Sequence, residues 1–80
     1  MLTNYIQAAM RHAAIEWLAE DGVFYGYIPG LDGVWADGTT PEACRATLQE
    51  ALEEWIMVSL AHHLPIPPID GIQLAVREVA

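Results

Sequence analysis

The sequence predicts a single α+β domain: a three-stranded antiparallel meander and a fourth strand, covered by one long helix, with a short helix in front. Three observations predict it. Alternating apolar and polar residues mark two segments, 13–19 and 23–28, on either side of Asp21-Gly22, the pattern of a hairpin. Thr40-Pro41-Glu42 then opens a run of apolar residues spaced by three and four, which is how a long amphipathic helix begins. The length of 80 residues leaves room for one core only.

The elements follow in order. Over Leu2–Met10, the residues Tyr5, Ile6, Ala9 and Met10 recur at helical spacing and make a narrow apolar stripe. One such helix is unstable alone and must dock on something. Over Ala13–Ala19 the period changes: Ile15 and Trp17 point one way, and Ala14, Glu16 and Leu18 the other. These residues could also continue the helix, but Glu20-Asp21-Gly22 favours a strand, because Asp-Gly suits a tight hairpin turn with positive φ. Val23–Ile28 returns, with Phe24, Gly26 and Ile28 on one face and Val23, Tyr25 and Tyr27 on the other. A glycine inside a strand costs stability unless something must come close, and a helix crossing the sheet at Gly26 would explain it.

Pro29 ends that strand, and Gly30 and Gly33 bracket a turn. Val34-Trp35-Ala36 forms a short third strand, and Asp37-Gly38 turns the chain again. These glycines punctuate a meander. They are no phosphate loop, since Gly-x-x-x-x-Gly-Lys does not occur and lysine is absent.

Thr40 suits the N-cap, Pro41 the first helical position and Glu42 the positive end of the helix dipole. The helix runs to about His63, with Cys44, Leu48, Ala51, Leu52, Trp55, Ser59 and His62 on one side and Glu42, Ala46, Glu50 and Glu53 opposite. In its second half Met57, Leu60 and Ala61 fall on the acidic side, so the helix becomes apolar nearly all round. Such a segment is covered twice. A second subunit, with the N-terminal helix contributing, is the expected second cover, which makes Met57, Leu60 and Ala61 the candidate oligomer contact. Leu64-Pro65-Ile66-Pro67-Pro68 is extended, and Ile72–Val76 alternates as the fourth strand. The domain map is thus 1–11 N-terminal helix, 12–38 meander, 40–63 long helix, and 64–80 Pro-rich segment with the fourth strand.

Hydrophobic residues make up 54% of the chain, more than one small core can hide, so self-association or a partner is expected. Eleven acidic residues stand against three arginines, for a net charge of −8. That balance excludes direct nucleic-acid binding and an anionic membrane surface, both of which need clustered cations. It favours a basic partner. Cys44 is the one cysteine, so neither an internal disulfide nor a Cys-x-x-Cys clip can form, and a reducing cytoplasm fits. No apolar run reaches the roughly 20 residues of a membrane span, and MLTNYIQAAM lacks the basic start of a signal peptide.

Several residues invite a chemical reading that their context resists. Glu16, Asp21 and Asp37 carry no spacing that converges on metal ions. His62 and His63 lie about 100° apart on a helix and chelate one metal poorly. They suit the helix's negative end. His12 has no predicted partner. Cys44 lies on the apolar stripe and reads as a small buried hydrophobe. Trp17, Trp35 and Trp55 read as core or interface anchors. No catalytic residue, metal or cofactor is expected.

The ordered set Asp21-Gly22, Tyr25-Gly26-Tyr27-Ile28-Pro29, Leu31, Gly33, Trp35-Ala36, Gly38, Thr40 through Trp55, and Leu64-Pro65-Ile66-Pro67 resembles the HicB-like antitoxin family, over about Ile15 to Ile72. The resemblance implies a truncated ribonuclease-H-like fold and dimers or tetramers. It implies a protein that silences HicA, a small basic toxin with a double-stranded-RNA-binding-like fold that cleaves mRNA with a histidine. Two departures matter. Longer members carry a C-terminal DNA-binding domain, whereas this chain stops at Ala80, so DNA binding and autorepression are not carried over. The second proline usual in the turn is Asp32 here. On this reading Glu16, Glu20 and Asp21, with Tyr25 and Tyr27 on the sheet's outer face, form the candidate partner interface, carboxylates taking the place of RNA phosphates. The alternatives are a stand-alone homo-oligomeric adaptor or regulator with no toxin, and a metal-dependent hydrolase.

Overall fold

The structure, a computed structural model, describes residues 2–74. Helix α1 spans Leu2–Arg11, strands β1, β2 and β3 span Ala14–Leu18, Val23–Tyr27 and Trp35–Gly38, and helix α2 spans Pro41–Ala61. The strands form one antiparallel sheet in the order β1-β2-β3, so the α+β meander expected from the alternation is present.

Strands β1 and β2 pair from Ala14↔Tyr27 to Leu18↔Val23. The loop between them is therefore four residues, 19–22, not a tight two-residue turn. The amides of Asp21 and Gly22 both donate to the Leu18 carbonyl, at 3.1 and 2.8 Å, and within this loop only Gly22 takes a positive φ, +65°. The link from β2 to β3 is built from two successive turns, Leu31 N–H to the Ile28 carbonyl and Val34 N–H to the Leu31 carbonyl. The three-residue step sends Ile28, Leu31 and Val34 inward, and all three are buried.

The third strand begins one residue later than expected and continues through Asp37-Gly38, which form no turn. The cause is overhead. A Cβ on Gly38 would stand 2.7 Å from the Cys44 amide nitrogen and 2.9 Å from its Cα. Gly38 therefore stays in the sheet opposite Phe24, beneath the first turn of α2. Gly26 does the same on the neighbouring strand, where a Cβ would meet the Cys44 Sγ at 2.9 Å and Leu48 Cδ2 at 3.4 Å. The close crossing that the sequence suggested at Gly26 is real.

Helix α2 starts as its residues dictate. The Thr40 side chain accepts from the Ala43 amide at 3.0 Å, and Pro41 sits in the first turn. Its buried line is Cys44, Leu48, Leu52, Ile56 and Ser59. The helix ends at Ala61, two residues short of the expected His63. His63 adopts φ +55°, its amide donates to Leu60, and the Leu64 amide donates to Ser59. This is the Schellman arrangement, usually built on glycine, and it stops the helix by satisfying its last carbonyls.

Helix α1 docks on α2 within the same chain. Tyr5, Ala8, Ala9 and Met10 are buried. The Tyr5 hydroxyl donates to the Pro67 carbonyl at 2.6 Å, and Arg45 Nη2 of α2 donates to the Met10 carbonyl at 3.0 Å. The extended tail adds Ile66 to the core, with Ile69, Ile72 and Leu74 packed at its edge. The expected fourth strand over Ile72–Val76 is absent from Ile72–Leu74, and residues 75 and 76 lie outside the described residues. Ile72 bonds back to Ile69 across Asp70-Gly71, both at positive φ, instead of joining the sheet. A two-residue Asp-Gly turn takes up its backbone groups locally.

Candidate protein-binding face

The sheet has two unlike faces. On the helix side, Gly26, Ala36 and Gly38 present almost no side chain, and α2 lies directly on them. The bulk of β2 and β3 is therefore carried on the far side. There the register sets two rows across the strands, Glu16–Tyr25–Asp37 and Ala14–Tyr27–Trp35.

The three aromatic rings form one array. Tyr25 and Tyr27 have centroids 5.6 Å apart at 29°, and Tyr25 and Trp35 are 6.3 Å apart at 28°. The tyrosines are half-buried, and Trp35 is 56% exposed. The Tyr27 hydroxyl donates to Glu16 Oε1 at 3.2 Å. That bond, followed by the carboxylate's charge, pushes the Tyr27 phenol above its ordinary value. Glu16 and Asp37 stand two strands apart, about 10 Å by strand spacing, with Tyr25 between them. Among the described residues no cation neutralises either carboxylate: Arg11 reaches Asp70 at 3.8 Å, and Arg45 is turned to the Met10 carbonyl.

Of the expected partner contacts, Glu16, Tyr25 and Tyr27 come together here. Glu20 and Asp21 are exposed in the four-residue loop beyond the end of the sheet, apart from the aromatic rows. Sequence reasoning missed Asp37, which it placed in a turn, and Trp35, which it did not assign to this face. Continuing the alternation of β3 as far as Gly38 would have placed both beside the tyrosines.

The expected oligomer contact is divided. Met57 is 69% exposed and Ala61 is exposed, with Val58 and Leu64 also open. Leu60, however, is half-buried against the core of its own chain. A second apolar patch lies on the helix side of β1, which α2 covers only in part. Trp17 is 55% exposed there and packs its ring 4.9 Å from Phe24, with Ile15 on the same face.

The remaining residues have local roles. Glu16 and Asp37 are too far apart to share an ion, and among the described residues no three His, Cys, Asp or Glu side chains gather where a metal could sit. His12 Nε2 lies 2.8 Å from Asp70 Oδ1. His62 and His63 are exposed at the end of α2. Cys44 is buried, and burial, with a smaller push from Asp37, raises its thiol. Such a thiol is a poor nucleophile. The Trp55 indole packs on the backbone at Gly33. Among the described residues no helix is long and apolar enough to cross a membrane.

The fold has known relatives. Residues 4–67 match the UPF0150-like family. The chain is similar to the crystal structure of TTHA0281 from Thermus thermophilus, with 38% identity and a TM-score of 0.89 over 96% of this chain and 95% of that one. No curated protein matches significantly. The chain belongs to the UPF0150-like family.

Proposed function

We propose that this UPF0150-like chain is a HicB-like antitoxin, a binding protein that silences a small basic ribonuclease of the HicA type by covering its RNA-binding surface. One observation carries the reading: the outer sheet face joins three aromatic rings to two carboxylates that have no cation among the described residues. Aromatic residues supply contact area and a polar tip, and they dominate interface energetics. The net charge of −8 speeds encounter with a basic surface and disfavours an acidic one. The protein works by occlusion, without chemistry of its own, in the cytoplasm where its target would act. The meander and crossing helix are then the truncated ribonuclease-H-like fold of that family, turned from catalysis to binding.

The test is reconstitution with a small basic ribonuclease encoded beside this chain. An equimolar amount of the wild-type chain abolishes RNA cleavage, and the pair migrates as one complex of defined mass. Tyr25→Ala with Trp35→Ala weakens the complex by roughly 30-fold or more, as loss of an aromatic hot spot does. Undiminished cleavage in the presence of the wild-type chain rejects the proposal.

A second reading, a stand-alone homo-oligomeric adaptor, is favoured by a different observation, the two uncovered apolar patches at Trp17–Phe24 and Met57–Ala61. It expects a stable dimer or tetramer in the absence of any other protein. Trp17→Ser or Met57→Ser would dissociate it without unfolding the subunit.

A further inference from the structure

We infer that the group anchored by the outer sheet face is an arginine side chain of the partner, seated against Tyr25 between Glu16 and Asp37. The inference rests on the proposed binding role of this face and specifies its chemistry.

The row Glu16–Tyr25–Asp37 places an aromatic ring between two carboxylates, one on each neighbouring strand. A guanidinium is planar, stacks on an aromatic face and offers N–H groups along more than one edge, so it can meet carboxylates on both sides of the ring. An ammonium is a compact, strongly hydrated point charge that cannot span the two. The Tyr27 hydroxyl already holds Glu16 on this face, so some of the ordering is complete before binding. An open recess of about 240 Å³ borders the row, lined by Tyr25, Tyr27, Pro29 and Asp32 among others, and has room for the stem of an arginine, with a third carboxylate at the rim.

Charge decides between occupants. A second copy laid symmetrically on this face would set Glu16 and Asp37 against acidic counterparts, and like charges across an interface oppose association. None of the chain's own arginines among the described residues reaches the row: Arg11 is at Asp70 and Arg45 at α1. Among the described residues, then, no arginine of the chain fills the seat, and it is assigned to a partner's arginine.

The test uses the full chain, labelled for NMR, titrated with blocked hexa-arginine and hexa-lysine peptides at equal charge and moderate salt. The arginine peptide is expected to bind about fivefold more tightly, with its shifts concentrated on Tyr25, Tyr27 and the Trp35 indole, since the preference comes from ring and fork geometry and not from charge alone. Glu16→Gln with Asp37→Asn lowers its affinity by about fivefold, the scale of two exposed ion pairs. Glu50→Gln with Glu53→Gln removes the same charge from α2 and changes the affinity less than about twofold. Equal affinity for the two peptides overturns the inference, as does an α2 variant that weakens binding as much as the face variant. The two readings fail separately. Indifference to arginine, with the ribonuclease still bound, overturns the seat alone. A selective arginine seat in a chain that inhibits no ribonuclease supports the seat and removes the antitoxin role.

Discussion

The contact beneath Gly26 gives a two-step test of how closely α2 is laid on the sheet. A Cβ at this position would lie 2.9 Å from the Cys44 Sγ and 3.4 Å from Leu48 Cδ2. An ordinary carbon–sulfur contact is several tenths of an ångström longer, and Cys44 is 0% exposed. Gly26→Ala therefore overpacks the helix–sheet seam, at a cost of about 1–3 kcal/mol. Alanine in a strand recovers about 0.5–1 kcal/mol of backbone entropy. The net expectation is a loss of about 1 kcal/mol, measured as a lower urea midpoint at unchanged slope.

Cys44→Ala alone removes one buried heavy atom, for about 1 kcal/mol. In the double variant the new methyl occupies the space the sulfur left, so the two losses do not add. The coupling is about 1–2 kcal/mol in favour of the pair. Gly38→Ala is the contrast. Its Cβ would meet backbone atoms of Cys44 at 2.7 and 2.9 Å, which no side-chain deletion can clear, so Cys44→Ala leaves that loss in place. A Gly26→Ala protein as stable as wild type, or strict additivity with Cys44→Ala, would refute the close crossing and with it the division of the sheet into a bare face and a bulky one.

Two further expectations concern the edges of the structure. The phenols of Tyr5 and Tyr27 both lie above the ordinary value of 10.0, Tyr5 through burial and Tyr27 chiefly through its bond to Glu16. Because the folded-state values exceed the unfolded ones, the stabilisation they carry is intact below pH 10 and is lost as the pH rises through the folded-state values. Phenolate absorbance should show both ionising later in the native protein than in guanidinium. Tyr5→Phe and Tyr27→Phe assign the two steps, Glu16→Gln moves the Tyr27 step back towards 10.0, and coincident native and denatured titrations would contradict this. At the end of α2, His63→Gly relieves a left-handed backbone while keeping both capping bonds, and should raise stability by about 0.5–1 kcal/mol, read as a higher urea midpoint.

How far the fold was legible in the sequence depended on whether a signal was local. The Thr40 cap, the alternation of β1 and β2, and the close approach at Gly26 were decided by neighbouring residues or by a single missing side chain. The Asp-Gly pairs show the limit. The chain has four, at Asp21, Asp32, Asp37 and Asp70, identical as dipeptides and different in structure. Asp21-Gly22 closes a four-residue loop. Gly33 lies under the Trp55 indole. Gly38 stays in a strand beneath α2, and only Asp70-Gly71 makes the two-residue turn with both residues at positive φ. What separates them is the element that packs above or pairs beside each one, which the dipeptide does not encode. The same cause hid some of the candidate site: reading Asp37-Gly38 as a turn removed Asp37 from the sheet and left Trp35 without the neighbours that define its face.

The glycines beneath α2 and the aromatics beyond the sheet are two consequences of one packing choice. A helix backbone can lie within 3 Å of where a strand Cβ would be only if that strand carries no side chain there. Strands β2 and β3 then supply their bulk to the other side, and with no second layer among the described residues that bulk faces water. Aromatic area alone would invite a second copy of the chain, but Glu16 and Asp37 flank the central ring and make a symmetric self-contact a meeting of like charges. On the proposed reading, any self-association would use the exposed patches at Trp17 and Met57 instead of the acidic row. On that reading the outer face is left to a partner whose surface is cationic and whose contact groups can stack. These are the properties of an arginine-bearing, RNA-binding surface, and the hexa-arginine titration separates that chemistry from simple attraction between opposite charges.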